Sequence, residues 1–183
     1  ASFRLDFSGE LVRHADFEVS IEHQLLWSDP PAMVQLPQDS INWVVDAENS
    51  WNRAGRFEGQ VRLDRFNLHG EQAGIRWAVG RQAIGFGRIS LFSPLDVIAP
   101  FPPDALDVDV RPGVDAVKLT RYFGLGGQVG GVAVFGDQPR HNSYLLTFSE
   151  NLGNLDLLVL AGSLRDRPMI GIGLAGEVGT LGL

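Results

Sequence analysis

Residues 75–123 read IRWAVGRQAIGFGRISLFSPLDVIAPFPPDALDVDVRPGVDAVKLTRYF. The fold prediction rests first on the pattern of this stretch. At both of its ends, apolar side chains occupy every second position: Ile75, Trp77 and Val79 at the start, Val117 and Leu119 near the close. A period of two is typical of β-strands and excludes a helical pattern. The stretch therefore predicts two strands joined by a long connection.

The connection, residues 90–113, is rich in proline. Proline lacks a backbone donor and fixes φ, so this segment cannot form a central strand or a regular helix. We predict a long loop here, and long loops usually carry function. The prolines are Pro94, Pro100, Pro102, Pro103 and Pro112.

The chain on either side of this stretch predicts hairpins. Residues 3–11 and 17–25 alternate strictly, and each strand is about 11 residues long, close to the length of about 9 to 11 residues that lets a tilted strand cross a bilayer. Residues 28–56 read as a loop, with a possible short helix begun by Asp39 or Ser40. Residues 57–68 resume the alternation imperfectly, which a bulge near Arg65 would explain.

The predicted connections alternate in length. Tight turns near Ala15, Gly70, Gly126, Gly153 and Gly179 interleave with longer or more charged loops at residues 28–56, 90–113, 137–142 and 165–168. Short turns at one end of a sheet and long loops at the other are typical of outer-membrane barrels. We therefore predict an all-β fold, an antiparallel up-and-down sheet of about nine to ten strands.

Closure of a barrel within this chain is not expected from that number of strands. We predict that residues 1–183 are a single-domain fragment of a transmembrane β-barrel that lacks strands at both ends, because an open sheet edge in lipid leaves unsatisfied backbone groups. No signal peptide is visible, and we expect it to have been removed or to lie outside the fragment.

Composition narrows the possible functions. The 183 residues carry 15 Lys and Arg against 22 Asp and Glu, a net charge of -7, and the basic residues are scattered along the chain. Nucleic acid is therefore not an expected partner. Cysteine is absent, which excludes disulfides and thiolate metal sites. No apolar run approaches the roughly 20 residues of a membrane-spanning helix.

Three motifs give the chain a family resemblance. They are VGRQAIGFG at residues 79–87, LFSPLDV at residues 91–97 and RPGVDAV at residues 111–117. In these motifs the sequence resembles Gram-negative outer-membrane porin-like proteins, a broad group that includes relatives of alginate-export channels. Phe86 stands where that group usually has tryptophan, and Ser93 where it has asparagine. The resemblance implies an outer-membrane location and passage of solutes through a barrel, and does not extend to alginate.

The predicted site is a constriction that selects solutes by charge and size. Its proposed basic wall comprises Arg76, Arg81, Arg88, Lys118 and Arg121, and the carboxylates facing it from the loop are Asp96, Asp104, Asp107 and Asp109. Asp115 is a further pore-lining candidate. If these side chains point inward, they create a transverse field across the lumen. An equally weighted alternative is that Arg81 and Asp115 pair and pin the two ends of the loop.

Catalysis and cofactors are not predicted. The four histidines have no metal-ligand spacing, and no G-x-S-x-G motif occurs. A calcium site at Asp104, Asp107 and Asp109 is a weaker alternative, because an EF-hand's glycine and terminal glutamate are missing. We expect a non-enzymatic channel for small solutes in the outer membrane, in contact with lipid and lipopolysaccharide. The alternative is a closed outer-membrane or soluble β-sheet scaffold that binds without transport.

Overall fold

A computed structural model describes residues 1–27, 29, 41–52, 56–86, 97–98, 112–178 and 181–182. The described residues form a single antiparallel sheet of 11 strands, with one short 3-10 helix at Pro139–His141. The predicted all-β, up-and-down fold is confirmed. The strands are β1 (Ser2–Val12), β2 (Ala15–Trp27), β3 (Glu48–Trp51), β4 (Phe57–Gln72), β5 (Ile75–Ala83), β6 (Gly113–Phe123), β7 (Gly127–Val134), β8 (Ser143–Leu152), β9 (Leu155–Leu164), β10 (Arg167–Val178) and β11 (Leu181–Gly182).

The order of strands in the sheet follows the chain. It runs β1, β2, β4, β5 and onward to β11, while β3 pairs with β4 off this path. Tight turns join β1 to β2, β4 to β5, β6 to β7 and β8 to β9, so all four lie at one end of the sheet. The longer connections, which follow β2, β5 and β7, lie at the other end.

Continuous register gives the sheet two chemically different faces, since register partners on neighbouring strands lie on the same face. The outer face, as we call it, carries Phe7, Phe66, Leu119, Leu146 and Ile172. The inner face carries the residues that alternate with them. Among these are Asp6, Arg65, Lys118, Leu145 and Gly171.

A bulge in β4 keeps both faces consistent. Ser20 pairs with Arg65 but Ile21 pairs with Leu63, so Asp64 is an extra residue in β4. Without this insertion, Phe66 would lie on the inner face and Arg65 on the outer one. The predicted bulge near Arg65 is confirmed.

Two sequence expectations for the connections are wrong. Residues 41–52 contain no helix, and the segment read as a loop supplies β3, because β4 extends beyond β5 and its free edge there hydrogen-bonds to Glu48–Trp51. The connection between β9 and β10 is a two-residue turn at Arg165 and Asp166, since β10 already begins at Arg167. Both residues adopt positive φ, of 50° and 61°. The proposed helix start at Asp39 or Ser40 lies outside the described residues.

The hydrophobic core lies on the inner face of β6, β7 and β8, at the end with the longer connections. Ile84 and Ile98, from the connection that follows β5, pack there against the wall of the sheet. The wall contributes Val114, Ala116, Val132, Val134 and Leu145. The part of the predicted loop that is described at Val97 and Ile98 therefore lies on the inner face.

Candidate functional site on the inner face

Burial across the sheet is inverted relative to a water-soluble protein. On the outer face, large apolar side chains are exposed: Leu146 by 70%, Ile172 by 65% and Phe66 by 61%. On the inner face, Ser20 and Ser149 are almost completely buried. Soluble proteins normally bury apolar side chains and rarely expose large contiguous apolar patches. The described residues therefore leave the large apolar side chains of the outer face without a cover.

A network of ion pairs crosses the inner face of β1, β2 and β4. Arg62 lies 2.6 Å from Glu22, and Arg65 lies 2.9 Å from Glu18. Asn67 also donates to Glu18, at 2.9 Å. These residues come from β2 and β4 and meet because the two strands are in register. We call this network the charged ladder.

Asp64 extends the charged ladder in two directions. Its Oδ2 lies 2.8 Å from a guanidinium nitrogen of Arg4 on β1, and its Oδ1 accepts a hydrogen bond of 3.2 Å from the backbone N–H of Gly113. Arg4 also contacts Asp6, which in turn accepts a hydrogen bond from Ser20. The bulge residue therefore connects the first strand to the point where the long connection enters β6.

A cleft of about 460 Å³ opens on the inner face among β2, β4, β5 and β6, near the end with the tight turns. Lys118 lines it together with Gln82 and Thr120. Lys118 is half-buried, and its ammonium has no ion-pair or hydrogen-bond partner within the described part of the chain. An unpaired cation that is partly shielded from water attracts anions and polar groups more strongly than a paired surface charge.

Arg76 lines the same cleft but is already occupied. Its Nε lies 3.0 Å from Glu71, and its guanidinium lies 4.7 Å from the centre of the Tyr122 ring. Arg76 and Lys118 share the inner face, because Arg76 pairs with Thr120 in register. Of the five predicted basic-wall residues, these two are the ones that the structure brings to one cleft among the residues it describes.

Arg81 and Asp115 form an ion pair, as the alternative interpretation predicted. Arg81 Nε donates to Asp115 at 2.8 Å, and its other nitrogens donate to the carbonyl oxygens of Leu63 and Val45. The Trp43 ring lies 4.3 Å from the guanidinium and donates from its indole N–H to Gly113. These contacts tie the end of β5 to the start of β6, so the two strands that flank the long connection are pinned together.

The remaining predicted site residues do not form one wall. Arg121 lies on the outer face, three residues from Lys118 along β6, so the two side chains point in opposite directions. The expected basic wall is therefore divided between the two faces. Arg88, Asp96, Asp104, Asp107 and Asp109, and with the last three the alternative calcium site, lie outside the described residues.

The sequence interpretation missed the charged ladder altogether. Its signal was present, since acidic residues occupy alternate positions of β2 and arginines occupy β4. Pairing Glu18 and Glu22 with Arg65 and Arg62 required both the register and the bulge, neither of which a single strand pattern fixes.

Other kinds of site are not indicated by the residues that the structure describes. Among them, no group of three histidine, aspartate or glutamate side chains is placed to hold a metal ion. No helix in the described ranges has the length and apolar character needed to cross a membrane. Comparisons with protein-family models, with curated proteins and with solved structures find no match for this chain.

Proposed function

We propose that this chain forms part of the wall of an outer-membrane β-barrel channel that passes small solutes. The observation that carries the proposal is the unusual burial: large apolar side chains are exposed on the outer face of every long strand except β9, and polar side chains are buried beside the apolar core on the inner face. A sheet that spans lipid needs an apolar outer surface and can line an aqueous lumen with polar groups. Lipid and lipopolysaccharide would then cover the outer face.

Lys118 gives the proposed lumen a local charge preference. The arginines and carboxylates of the charged ladder neutralise one another, whereas the Lys118 ammonium has no counter-ion among the described residues. A solute that follows the inner face would meet this cation at the cleft between β4 and β6. Fixed charges on a channel wall bias permeation by sign.

Cysteine labelling tests which face meets lipid. The 183 residues contain no cysteine, so Lys118→Cys and Leu119→Cys place single thiols on opposite faces at adjacent positions. In the full-length protein reconstituted in vesicles, we expect a membrane-impermeant maleimide to label Lys118→Cys and to spare Leu119→Cys. Leu119 is 50% exposed, so if water rather than lipid covered the outer face, the maleimide would label Leu119→Cys readily as well. That result would refute the membrane proposal.

Ion selectivity tests the channel itself. In planar bilayers we expect Lys118→Glu in the full-length protein to shift the reversal potential in a salt gradient toward cation preference. Arg121→Glu is the matched control, because it reverses a charge of the same sign on the same strand but on the outer face. Equal shifts for the two variants, or no conductance from protein shown to be folded and inserted, would contradict the proposal.

A closed scaffold is the second candidate, and the position of Ile98 favours it. Ile98 is 2% exposed and packs on the inner wall, so the connection that contains it occupies space inside the proposed lumen. Deleting residues 93–109 separates the two functions. Conductance that rises on deletion indicates a loop that narrows a channel, whereas silence before deletion followed by large conductance after it indicates a closed scaffold.

A further inference from the structure

A second cleft lies at the other end of the sheet, among the longer connections. It measures about 590 Å³ and is lined by the short 3-10 helix between β7 and β8 and by the turn between β9 and β10. Basic side chains dominate its lining, in a chain whose net charge is -7. We call these side chains the rim cluster: Arg140, His141, Arg165 and Arg167.

Arg165 is held rigidly at the centre of the rim cluster. Its backbone N–H donates to the carbonyl oxygen of Asn142 at 3.1 Å and contacts the Ser143 hydroxyl at 3.2 Å, which fixes the turn against the 3-10 helix. One guanidinium nitrogen donates to the carbonyl oxygen of Ile98 at 3.1 Å. Its Nε is buried and lacks an acceptor among the described residues. A buried donor without an acceptor is costly, so the Arg165 guanidinium is incompletely satisfied where it lines the cleft.

The other two arginines are available for binding. Arg140 and Arg167 are exposed and make no ion pair or hydrogen bond in the described part of the chain. His141 is engaged by Asp137, at 2.5 Å, and this hydrogen bond lowers the pKa of the Asp137 carboxyl below its ordinary value. Asp166 is the acidic residue in the lining, and it is exposed at the tip of the turn. The cleft therefore presents an excess of positive charge.

We propose that the rim cluster binds a phosphate group. Guanidinium groups present planar pairs of donors that match phosphate oxygens, and several of them around one cleft can neutralise a dianion. The cleft has a volume typical of small-ligand pockets. Leu164, which also lines it, packs against the core on the inner face, so the cleft opens at the inner rim of the sheet. The role of this site as a docking point for solutes rests on the proposed channel function, although phosphate binding itself does not.

Calorimetric titration of the full-length protein in mild detergent with inorganic phosphate tests the proposal. We expect saturable binding that the double variant Arg140→Gln, Arg167→Gln weakens about tenfold or more, since two charge-assisted contacts are lost. Arg121→Gln, an exposed arginine at the opposite end of the sheet, should change the affinity less than about twofold. Absence of saturable binding, equal loss in the control, or acetate binding as tight as phosphate would overturn the proposal.

Asp166→Asn gives a test that a folding defect cannot imitate. Asparagine tolerates the positive φ of 61° at this position, so the turn should be retained. Removing the carboxylate relieves its repulsion of the ligand, and we expect phosphate to bind about threefold more tightly or better. Unchanged or weaker binding would contradict the proposal.

The source of the phosphate group is distinguished by a lipid arm. In mixed micelles, phosphatidic acid that competes with inorganic phosphate, where phosphatidylcholine does not, identifies a lipid headgroup as ligand. A soluble phosphate ester is identified when neither lipid competes. Both outcomes support a phosphate site. Failure of the cysteine labelling would refute the membrane-spanning wall and leave the phosphate titration to be judged by itself.

Discussion

The two halves of the inner face are buried in different ways. On β1, β2 and β4, the face is filled by charged side chains that satisfy one another, such as Arg62 with Glu22 and Arg65 with Glu18. On β6, β7 and β8, at the end with the longer connections, it is covered by Ile84 and Ile98 over an apolar wall. One continuous sheet thus has an inner face of two kinds. The side chains that fill the inner face therefore vary along the sheet.

The two halves should be destabilised by different kinds of substitution. Removing one partner of a buried ion pair is strongly destabilising, because the other charge is left uncompensated. Apolar packing is lost in proportion to the cavity that a truncation leaves. Substitutions in each half can therefore test whether the two halves are stabilised differently.

The largest effect is expected from Asp64→Ala in the charged ladder. Asp64 is 1% exposed, contacts Arg4 and accepts from the Gly113 N–H, so its removal leaves that backbone donor without its acceptor and Arg4 with Asp6 as its remaining carboxylate. We expect a loss of about 3 to 5 kcal/mol in the free energy of unfolding. Urea titration of the full-length protein in micelles, followed by tryptophan fluorescence, measures it.

Glu71→Ala is the matched control for that substitution. Glu71 pairs with Arg76 at 3.0 Å, but both side chains are more than half exposed. Exposed pairs contribute about 0 to 1 kcal/mol, so the control should be nearly neutral. Similar losses for the two variants would show that burial does not distinguish the ladder from a surface pair.

An intermediate effect is expected from Ile98→Ala in the apolar half. Ile98 fills space between the long connection and the wall, and its truncation should cost about 2 to 3 kcal/mol, because a connection can partly collapse onto the cavity. Ile41→Ala, at an exposed position, should stay within about 0.5 kcal/mol. The same urea titration compares them, and a neutral Ile98→Ala would mean that the connection does not depend on this packing.

The smallest effect is expected outside both halves, in the connection between β7 and β8. The hydrogen bond from His141 lowers the folded-state pKa of Asp137. The hydrogen bond therefore stabilises the fold above the ordinary aspartate pKa, and this stabilisation is lost as the pH falls through the lowered folded-state pKa. We expect the Asp137 carboxyl, followed by NMR, to titrate below its usual range, and His141→Gln to raise its pKa. An identical titration in the two proteins would contradict the assigned cause.

Much of the fold could be predicted from the sequence because strand alternation is local. The period of two at Phe3, Leu5 and Phe7 and at Ile170, Ile172 and Leu174 gave the strands and separated the two faces. The irregular spacing around Arg65 predicted the bulge. Among the strands that the structure describes, only β3 was not predicted, because Glu48–Trp51 is short and its pairing depends on how far β4 extends beyond β5.

Less of the candidate site could be predicted. Proximity along the chain suggested that Lys118 and Arg121 shared a wall, but a separation of three residues on a strand places them on opposite faces. Arg81 and Asp115 could be proposed as a pair, whereas their cover by Trp43 came from a segment more than 30 residues away. The rim cluster joins two connections that carry no common motif.

The sequence alone was enough to predict all the described strands except β3, most of the tight turns and the side chains that share a face of each strand, because these follow from backbone sterics and a period of two. The charge pairs of the charged ladder, in contrast, depend on the tertiary structure. Asp64 reaches Arg4 and Gly113 because the register of five strands, β1, β2, β4, β5 and β6, shifted once by a bulge, brings together groups far apart in the chain. Register depends on the pairing of neighbouring strands and on the turns that join them, so the pattern of one strand does not fix it.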